Sequence, residues 1–451
     1  MHHHPARRPD TARHTDPDPI AYEKEVYQRG LRYQRPPFTF KPLEWERLAA
    51  ERMSADTKGY VLGSAGTGET ARKNREAFEK WSIVPRRLGL GGLGGTVKAG
   101  GVKGEGIFPD ITVEVLGRKV PCPIACAPVG VQKIMNPDGE IAAAAAAARE
   151  RVPFIMSSAS STSIEDVARA NDAGASGKGG GAERWFQLYW PAREHDDITI
   201  SILDRAKKAG FSVLVVTLDT YILGWRPSDM DNGYNPFLRS DQVGVAIGLT
   251  DPVFRAQFKQ KNGVEVEEEM GAAAADWTRI IFPGTGHTLE EVKFLRSQWD
   301  GPIVLKGIQS PDDARQIAES GLVDGIVVSN HGGRQADGGM SSLGSLPRIV
   351  DAVNTVNSQN TGKQKRKVEI LFDSGIRSGA DIAKALALGA KMCLVGRPYV
   401  YGLVLGGEEG VAHVLRSLLG DLELTLHLSG IESAAPEHLN RSVLVREDEL
   451  F

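Results

Sequence analysis

The sequence predicts an α/β protein whose core is a (β/α)8 barrel, also called a TIM barrel. From residue 120 onward, short runs rich in Val, Ile and Leu alternate with longer helix-like segments, the pattern of βα units around a parallel sheet. The number of these runs is the strand number of such a barrel. The eight runs are PIACAP (123–128), PFIMSS (153–158), WFQLYW (185–190), SVLVVTLD (212–219), PIVLKGI (302–308), GIVVSNH (325–331), VEILFDSG (368–375) and MCLVGRP (392–398).

Helices are predicted between these runs and before them. Residues 41–84 have a helical pattern, and Ser378 is placed to cap the helix that begins after the seventh strand. Residues 111–120 alternate around Gly117, which predicts a hairpin that closes the bottom of the barrel. Helices within the barrel are predicted over 138–151, 163–171, 197–209, 310–320 and 378–388.

One connection is much longer than the others. The fourth run begins at residue 212 and the fifth at 302, whereas a βα unit needs only about 30 residues. We therefore predict an insertion over about 228–290 that serves as a lid or as an oligomer contact. The single barrel domain is expected over 41–430, with a disordered tail over 1–40 and a C-terminal tail over 431–451.

Composition excludes several classes of protein. The 451 residues include 54 Lys plus Arg and 57 Asp plus Glu, a net charge of −3, which argues against a polybasic nucleic-acid-binding protein. No apolar stretch approaches the roughly 20 residues of a membrane span, and no targeting segment is evident, so we expect a soluble cytoplasmic protein. Cys122, Cys126 and Cys393 have neither disulfide nor zinc spacing and are expected in the core, with no metal site.

Two glycine-rich motifs resemble nucleotide-binding sequences. Gly89–Gly94 (GLGGLG) matches GxGxxG but opens no helix, and more glycine follows to Gly106. Gly63–Thr70 (GSAGTGET) has P-loop spacing, but Glu69 occupies the position of the phosphate-binding lysine. We predict a nucleotide site at neither motif.

Polar and glycine residues follow the barrel strands where the strands end. Barrel enzymes place their chemistry at this face, because strand ends are rigid while the βα loops vary freely. The set consists of Pro128, Val129, Gly130, Ser157, Gln187, Tyr189, Thr217, Asp219, Lys306, Ser329, His331, Arg334, Asp373, Ser374, Gly375, Arg377, Gly396 and Arg397.

The last two strand ends predict a phosphate site. Glycines let backbone N–H groups approach an anion, and Arg377 and Arg397 supply positive charge at the loops where barrels commonly bind phosphate. Tight turns with surface arginines are the alternative. Lys306 ends an apolar strand, so its ammonium needs a negative partner, unless it is a surface lysine that reaches solvent.

The segment Ser329–Gln335 (SNHGGRQ) is the most specific string. Histidine is the usual general base near neutral pH, and an arginine three residues later can hold a carboxylate bidentately. His331 and Arg334 therefore predict a site that deprotonates a carboxylate-bearing substrate, with a buried core histidine as the alternative. Asp219 either orients the imidazole, as the acid of a triad does, or caps local structure.

These segments resemble the FMN-dependent α-hydroxy-acid oxidases and dehydrogenases from about residue 45 to 430. The matching strings are FQLYW, VTLDT, LKGI, SNHGGRQ, DSGIRSGADIAKALALGA and GRPYVYGL, in the family's order and spacing. Within the family the sequence is most similar to lactate 2-monooxygenase, through DTYILGWRPSD, PFLRSD, TDPVFRAQFK, LKGIQSPDDAR and GGRQADGG.

The resemblance implies FMN as cofactor and an L-2-hydroxy acid and O2 as reactants, in a homotetramer. It implies that His331 is the base, that Lys306 stabilises the reduced flavin, and that Tyr60, Tyr189, Arg226 and Arg334 contact the substrate. The implied contacts to the flavin ring are Pro128, Val129, Gly130, Ser157, Gln187, Thr217, Lys306 and Ser329, and those to its phosphate are Asp373, Ser374, Gly375, Arg377, Gly396 and Arg397.

Alternatives for the reaction stay open at this stage. If the keto acid is retained beside nascent peroxide, it is decarboxylated and the enzyme is a lactate 2-monooxygenase. If the keto acid escapes first, the enzyme is an oxidase. If another electron acceptor replaces O2, the enzyme is a dehydrogenase. Glycolate-oxidase-like members carry Pro-Thr-Ala at Pro128–Gly130 and Trp at Ala159, so the preferred substrate size is open. A catalytically silent binding barrel and a flavin-free phosphate-sugar isomerase are remote alternatives.

Overall fold

The computed structural model describes residues 21–88, 109–176, 182–238, 243–360 and 366–451. The glycine-rich segment 89–106 lies outside these ranges. Within them, no helix combines the length and the apolar character needed to cross a membrane.

Eight parallel strands close into a barrel, which confirms the predicted fold class. The closure is made by the last strand, which pairs with the first through Cys393 opposite Ile124. All three cysteines are buried, as predicted. The strands are β1 (Ile124–Cys126), β2 (Phe154–Met156), β3 (Arg184–Tyr189), β4 (Leu214–Thr217), β5 (Ile303–Ile308), β6 (Gly325–Val328), β7 (Glu369–Phe372) and β8 (Met392–Val395).

The helices surround this barrel and cover its ends. Serine residues cap the N-termini of several helices. The Ser378 hydroxyl accepts from the Asp381 N–H, so Ser378 is the N-cap that the sequence predicted. The last helix is interrupted at Gly406 and Gly407. The helices are α1 (Ala21–Gly30), α2 (Pro42–Arg52), α3 (Ala55–Leu62), α4 (Glu69–Glu76), α5 (Gly139–Arg149), α6 (Ile164–Ala175), α7 (Asp196–Lys208), α8 (Pro227–Asp231), α9 (Ala246–Leu249), α10 (Pro252–Asn262), α11 (Met270–Ile281), α12 (Val292–Gln298), α13 (Pro311–Ser320), α14 (Ser342–Gln359), α15 (Gly379–Ala387) and α16 (Arg397–Leu428).

The predicted hairpin is present at the amino-terminal end of the barrel. Val113–Val115 pairs antiparallel with Arg118–Val120, and the N–H of Leu116 in its turn donates to Glu369 at the start of β7. The hairpin therefore closes the end of the barrel opposite the predicted site.

The two predicted tails are partly folded, which corrects their expected boundaries. Residues 21–30 form α1, where Tyr22 is buried and its hydroxyl lies 2.7 Å from His413 Nδ1 on α16. Near the C-terminus, Leu444–Arg446 pairs antiparallel with Trp81–Ile83. The charged local sequence of α1 gave little sign of this docking, because the contact that orders it lies almost 400 residues away.

The insertion after β4 is mainly helical, and its buried side chains extend the hydrophobic core of the barrel. Phe254 on α10 and Trp277 on α11 are buried, with ring centroids 5.2 Å apart. The Asp251 carboxylate caps α10 by accepting from the N–H groups of Val253 and Phe254. The insertion also contributes Phe237 and Phe282, whose rings lie 5.2 Å apart, to the wall of the central cavity.

Candidate active site

A cavity lies at the carboxyl-terminal ends of the strands. It brings together residues that the sequence spreads over more than 300 positions. Ser157, Gln187, Thr217, Asp219 and Ser329 lie outside its lining. The predicted site residues that line it are Tyr60, Pro128, Val129, Gly130, Tyr189, Arg226, Lys306, His331, Arg334, Asp373, Ser374, Gly375, Arg377, Gly396 and Arg397.

His331 forms a partly buried pair with Asp219. The Nδ1 of the imidazole lies 2.8 Å from Asp219 Oδ1, and the Thr220 hydroxyl donates to the same oxygen at 2.7 Å. Since Nδ1 is engaged by the carboxylate, Nε2 is the ring nitrogen available to a molecule in the cavity. Asp219 thus contacts the imidazole, as its predicted role of orienting the histidine requires.

Electrostatics keep this pair in the form that a base needs. Burial lowers the pKa of His331, and the attraction of Asp219 only partly offsets that effect. Burial also raises the pKa of Asp219, but the charges of His331 and Lys306 outweigh it and bring the pKa down to about 2. At neutral pH the pair is therefore a neutral imidazole beside a carboxylate.

The backbone around His331 is strained and is held in place by side chains. His331, Gly332 and Gly333 have φ values of 59°, 67° and 76°, which disfavour residues other than glycine. The hydroxyl of Ser329 accepts from the N–H of His331, and that of Ser374 accepts from the N–H of Gly332. The two glycines of SNHGGRQ are thus explained by this turn, which aims the imidazole into the cavity.

Lys306 is a buried cation rather than a surface lysine. Its Nζ lies 3.1 Å from Asp373 Oδ2 and donates to the Ser329 hydroxyl at 3.3 Å. Burial lowers the pKa of Lys306, but the charges of Asp373 and Asp219 more than compensate and raise it, so the ammonium stays protonated. A β-bulge at Gly307 interrupts the pairing of β5 next to this residue.

Arg226 and Arg334, the two arginines of the predicted substrate site, are linked by a hydrogen bond. Arg334 donates from one amino group to the carbonyls of Tyr60 (2.5 Å) and Gly63 (3.1 Å), and its guanidinium lies 4.8 Å from the Tyr60 ring centroid. Arg226 donates to the Arg334 carbonyl and to Gln335 Oε1. Burial and the charge of Arg226 lower the pKa of Arg334 to about 9. Two cations, of which Arg226 is buried and Arg334 half-buried, are held by neutral oxygens and form a site that favours an anion.

The predicted phosphate end combines glycine conformation with two further cations. Gly375 has φ of 101°, and a Cβ there would lie 2.6 Å from the Asn74 carbonyl oxygen. Arg397 donates to the carbonyls of Val61, Gly63 and Gly332 at 3.0–3.1 Å. Both Arg397 and Arg377 line the cavity instead of facing solvent, which argues against the alternative of surface arginines.

Polar residues behind the lining are linked to one another. Gln187 accepts from the Ser158 N–H at 3.2 Å and donates to the Thr217 hydroxyl at 3.0 Å. The Ser157 hydroxyl accepts from the N–H of Ala159. Since these residues are buried and mutually bonded, the rotamers of the strand ends are fixed before any ligand binds.

Sequence reasoning missed two features of the site. Gln335, behind the cavity lining, connects Arg226 to the backbone, since its amide donates to the carbonyls of Asp219 and Ile222; its place in the SNHGGRQ string was the available signal. Apolar side chains form part of the cavity wall, and no motif marked them. These residues are Met135, Leu223, Phe237 and Phe282.

The cavity is suited to two anions, one at the glycine–arginine end and one at Arg226 and Arg334. Among the described residues, Asp219 Oδ2 is buried without a hydrogen-bond partner, which leaves a further polar position unsatisfied next to His331. Such an arrangement defines a barrel enzyme that binds a phosphorylated cofactor beside an acidic substrate. Buried Lys306, which can neutralise charge on a cofactor ring, fits a flavin.

Comparison with known proteins identifies the family. Residues 49–446 match the family described as FMN-dependent dehydrogenase. The chain is 58% identical to an FMN-dependent alpha-hydroxy acid dehydrogenase of Schizosaccharomyces pombe, over 96% of this chain and 97% of that protein. It is 37% identical to an L-lactate oxidase of Lysinibacillus sphaericus, over 91% of this chain and 94% of that one.

A solved structure agrees with these sequence relatives. The crystal structure of mandelate oxidase superposes with a TM-score of 0.71 at 30% identity, covering 91% of this chain and 99% of that chain. The chain therefore belongs to the FMN-dependent α-hydroxy-acid oxidase and dehydrogenase family. It is an FMN-dependent 2-hydroxy-acid oxidoreductase, and the predicted cofactor is confirmed.

Proposed function

We propose that the protein oxidises L-lactate and acts as a lactate 2-monooxygenase, converting L-lactate and O2 to acetate, CO2 and water. The observation that carries the oxidation step is one cavity in which His331, paired with Asp219 behind the lining, lies beside Arg226 and Arg334. The arginines supply a receptor for the substrate carboxylate, and the imidazole supplies a base at its side.

His331 takes a proton from the bound substrate through Nε2. Asp219 stabilises the imidazolium that forms, because its carboxylate already accepts from Nδ1. Arg226 and Arg334 fix the carboxylate, while Tyr60 and Tyr189 contribute hydroxyl groups in the same cavity. Burial raises the pKa of Tyr189, so its hydroxyl remains a hydrogen-bond donor at neutral pH.

The cofactor is held by the strand ends on the other part of the lining. When bound, FMN supplies the two-electron oxidant for the substrate. We assign its phosphate to Gly375, Arg377, Gly396 and Arg397, with Asp373 and Ser374 alongside, and its ring to Lys306. The sequence resemblance also implies ring contacts from Pro128, Val129 and Gly130, which line the cavity, and from Ser157, Gln187, Thr217 and Ser329, which lie behind the lining.

The apolar wall supports a substrate whose side chain is uncharged. Met135, Ala159, Leu223, Phe237 and Phe282 offer no charged partner, so a second carboxylate on the substrate would be desolvated there. Similarity to the L-lactate oxidase of Lysinibacillus sphaericus is consistent with lactate. Phe237 and Phe282 belong to the insertion, which supports its role as a lid that retains the keto acid.

The experiment is anaerobic mixing of the FMN-loaded protein with a panel of L-2-hydroxy acids, followed through flavin absorbance. We expect bleaching by L-lactate and none by D-lactate. Absence of bleaching by every hydroxy acid would contradict the oxidation itself. Products are then measured in air: acetate with CO2 supports the monooxygenase, whereas pyruvate with stoichiometric hydrogen peroxide identifies an oxidase.

Gly130 is the position that tests how the keto acid is retained. A Cβ there would lie 3.0 Å from both the Cβ and the carbonyl oxygen of Ala159, which lines the same cavity. We expect Gly130→Ala to narrow this region and to shift the products from acetate toward pyruvate and peroxide. Equal decarboxylation by wild type and variant would assign retention to the insertion instead.

A further inference from the structure

The P-loop-like segment 63–70 has a structural partner in the loop that follows His331. The Ala65 N–H donates to the Gly333 carbonyl at 2.8 Å. The Asp337 carboxylate accepts from the N–H of Thr67 at 2.7 Å, from the Thr67 hydroxyl at 2.8 Å and from the N–H of Thr70 at 3.1 Å. The amide groups that a phosphate would occupy in a P-loop are therefore occupied by a carboxylate of the same chain.

Glycines allow the two segments to approach closely. A Cβ at Gly66, where φ is 54°, would lie 2.6 Å from Asp337 Oδ2. A Cβ at Gly333 would lie 2.6 Å from the Ala71 nitrogen. Thr70 completes the contact, since its hydroxyl donates to the Ala336 carbonyl and accepts from the Gly339 N–H. The spacing of GSAGTGET is thus explained by an interlock between two loops.

This interlock leads directly to the arginines of the site. The carbonyl of Gly63, at the start of the segment, accepts from Arg334 at 3.1 Å and from Arg397 at 3.0 Å. Among the described residues, Tyr60 provides the one further carbonyl that accepts from Arg334, whereas Arg397 also donates to the carbonyls of Val61 and Gly332. A shift of the segment should therefore displace Arg334 more than Arg397.

We propose that Asp337 is a positioning residue for substrate binding: it holds segment 63–70 so that the Gly63 and Tyr60 carbonyls orient the Arg334 guanidinium toward the substrate carboxylate. The proposal rests on the function proposed above. Hydrogen bonds from the Thr70 backbone and from Thr67 lower the pKa of Asp337, so it is ionised at neutral pH. No contact of Asp337 with the substrate is required.

The test compares Asp337→Ala and Asp337→Asn with Asp351→Ala. Asp351 lies on α14, and its exposed carboxylate pairs with Arg441, so this control removes a carboxylate away from the site. Binding of oxalate to the FMN-loaded proteins is measured by calorimetry, and FMN affinity is measured on the apoproteins. We expect Asp337→Ala to weaken oxalate about 10-fold or more and to raise KM more than it lowers kcat. FMN affinity should change less than 3-fold, on the order of the scatter between independent sites.

Asp337→Asn keeps one acceptor oxygen for the loop, so its oxalate affinity should lie between those of wild type and Asp337→Ala. The asparagine variant also replaces the alanine variant in the test if the latter does not fold. A double-mutant cycle with Arg334→Lys separates positioning from general stability: if Asp337 acts through Arg334, the combined loss is smaller than the sum of the two. Additive losses, or oxalate affinity equal to that of Asp351→Ala, would overturn the proposal. A wild-type protein that binds no oxalate and is not reduced by any hydroxy acid would overturn the proposed function as well.

Discussion

The two ends of the cavity are built differently. The phosphate end comes from neighbouring strands, with Gly375 and Arg377 after β7 and Gly396 and Arg397 after β8. The substrate end joins segments that are far apart in the chain: the hydrogen bond from Arg334 to the Tyr60 carbonyl spans 274 positions. The phosphate end rests mainly on neighbouring strand ends, although Arg397 also donates to the Val61 and Gly63 carbonyls. The substrate end relies on the N-terminal helices and on the insertion packed above it.

This difference separates binding of the cofactor from binding of the substrate. Strand ends in a closed barrel move little, so we expect the cofactor end to be less sensitive than the substrate end to changes in the surrounding helices. The substrate end depends on loop-to-loop contacts such as Thr67 with Asp337, which form only when the N-terminal segment is docked. Changes outside the barrel should therefore alter substrate affinity before they alter cofactor affinity.

The largest effect is expected for His331→Gln. The amide cannot accept the substrate proton, and positioned general base catalysis is worth about 10² to 10⁴ in rate. Flavin reduction in anaerobic rapid mixing should fall by that range, while FMN content remains at the wild-type level. Reduction at the wild-type rate would remove His331 from the mechanism, and loss of FMN would show that the two ends are not independent.

The phosphate end is tested by a pair of glycine substitutions. Gly375→Ala places a Cβ in a left-handed conformation, which costs about 1–3 kcal/mol, and presses it against the Asn74 carbonyl. We expect about 10-fold or more weaker FMN binding to the apoprotein, from ~1.4 kcal/mol per decade. Gly420→Ala on α16 is the control, because its Cβ would meet nothing within 4 Å and Gly420 is not among the assigned phosphate contacts. A similar loss of FMN affinity in both variants would show that backbone strain at Gly375 is not the cause.

The substrate end is tested by Arg226→Lys and Arg334→Lys. Lysine keeps the charge but lacks the planar fork, so kcat/KM should fall about 10-fold or more. Bound FMN should be unaffected, since neither arginine belongs to the assigned phosphate contacts. Unchanged efficiency in Arg334→Lys would mean that the substrate carboxylate binds elsewhere in the cavity.

The pH dependence of reduction gives the smallest expected change. A base acts when it is neutral, so activity is lost as pH falls through its pKa. Because burial lowers the pKa of His331, the acid limb should lie below the ordinary histidine value of about 6.5. Asp219 opposes this effect, so Asp219→Asn should move the limb to still lower pH, in addition to slowing the reaction. A limb that moves upward in this variant would contradict the assigned coupling.

Sequence alone determined the barrel, the polar strand ends and the family. Strands and helices leave periodic patterns in neighbouring residues, and the motifs around His331, Arg377 and Arg397 lie within single strand–loop segments, so short stretches of sequence carry them. Tertiary structure decided which distant groups meet. The docking of Tyr22 on His413, the carbonyl of Tyr60 at Arg334, the carboxylate of Asp337 at Thr67 and the Phe237–Phe282 wall depend on packing between segments, and no local periodicity reports such contacts.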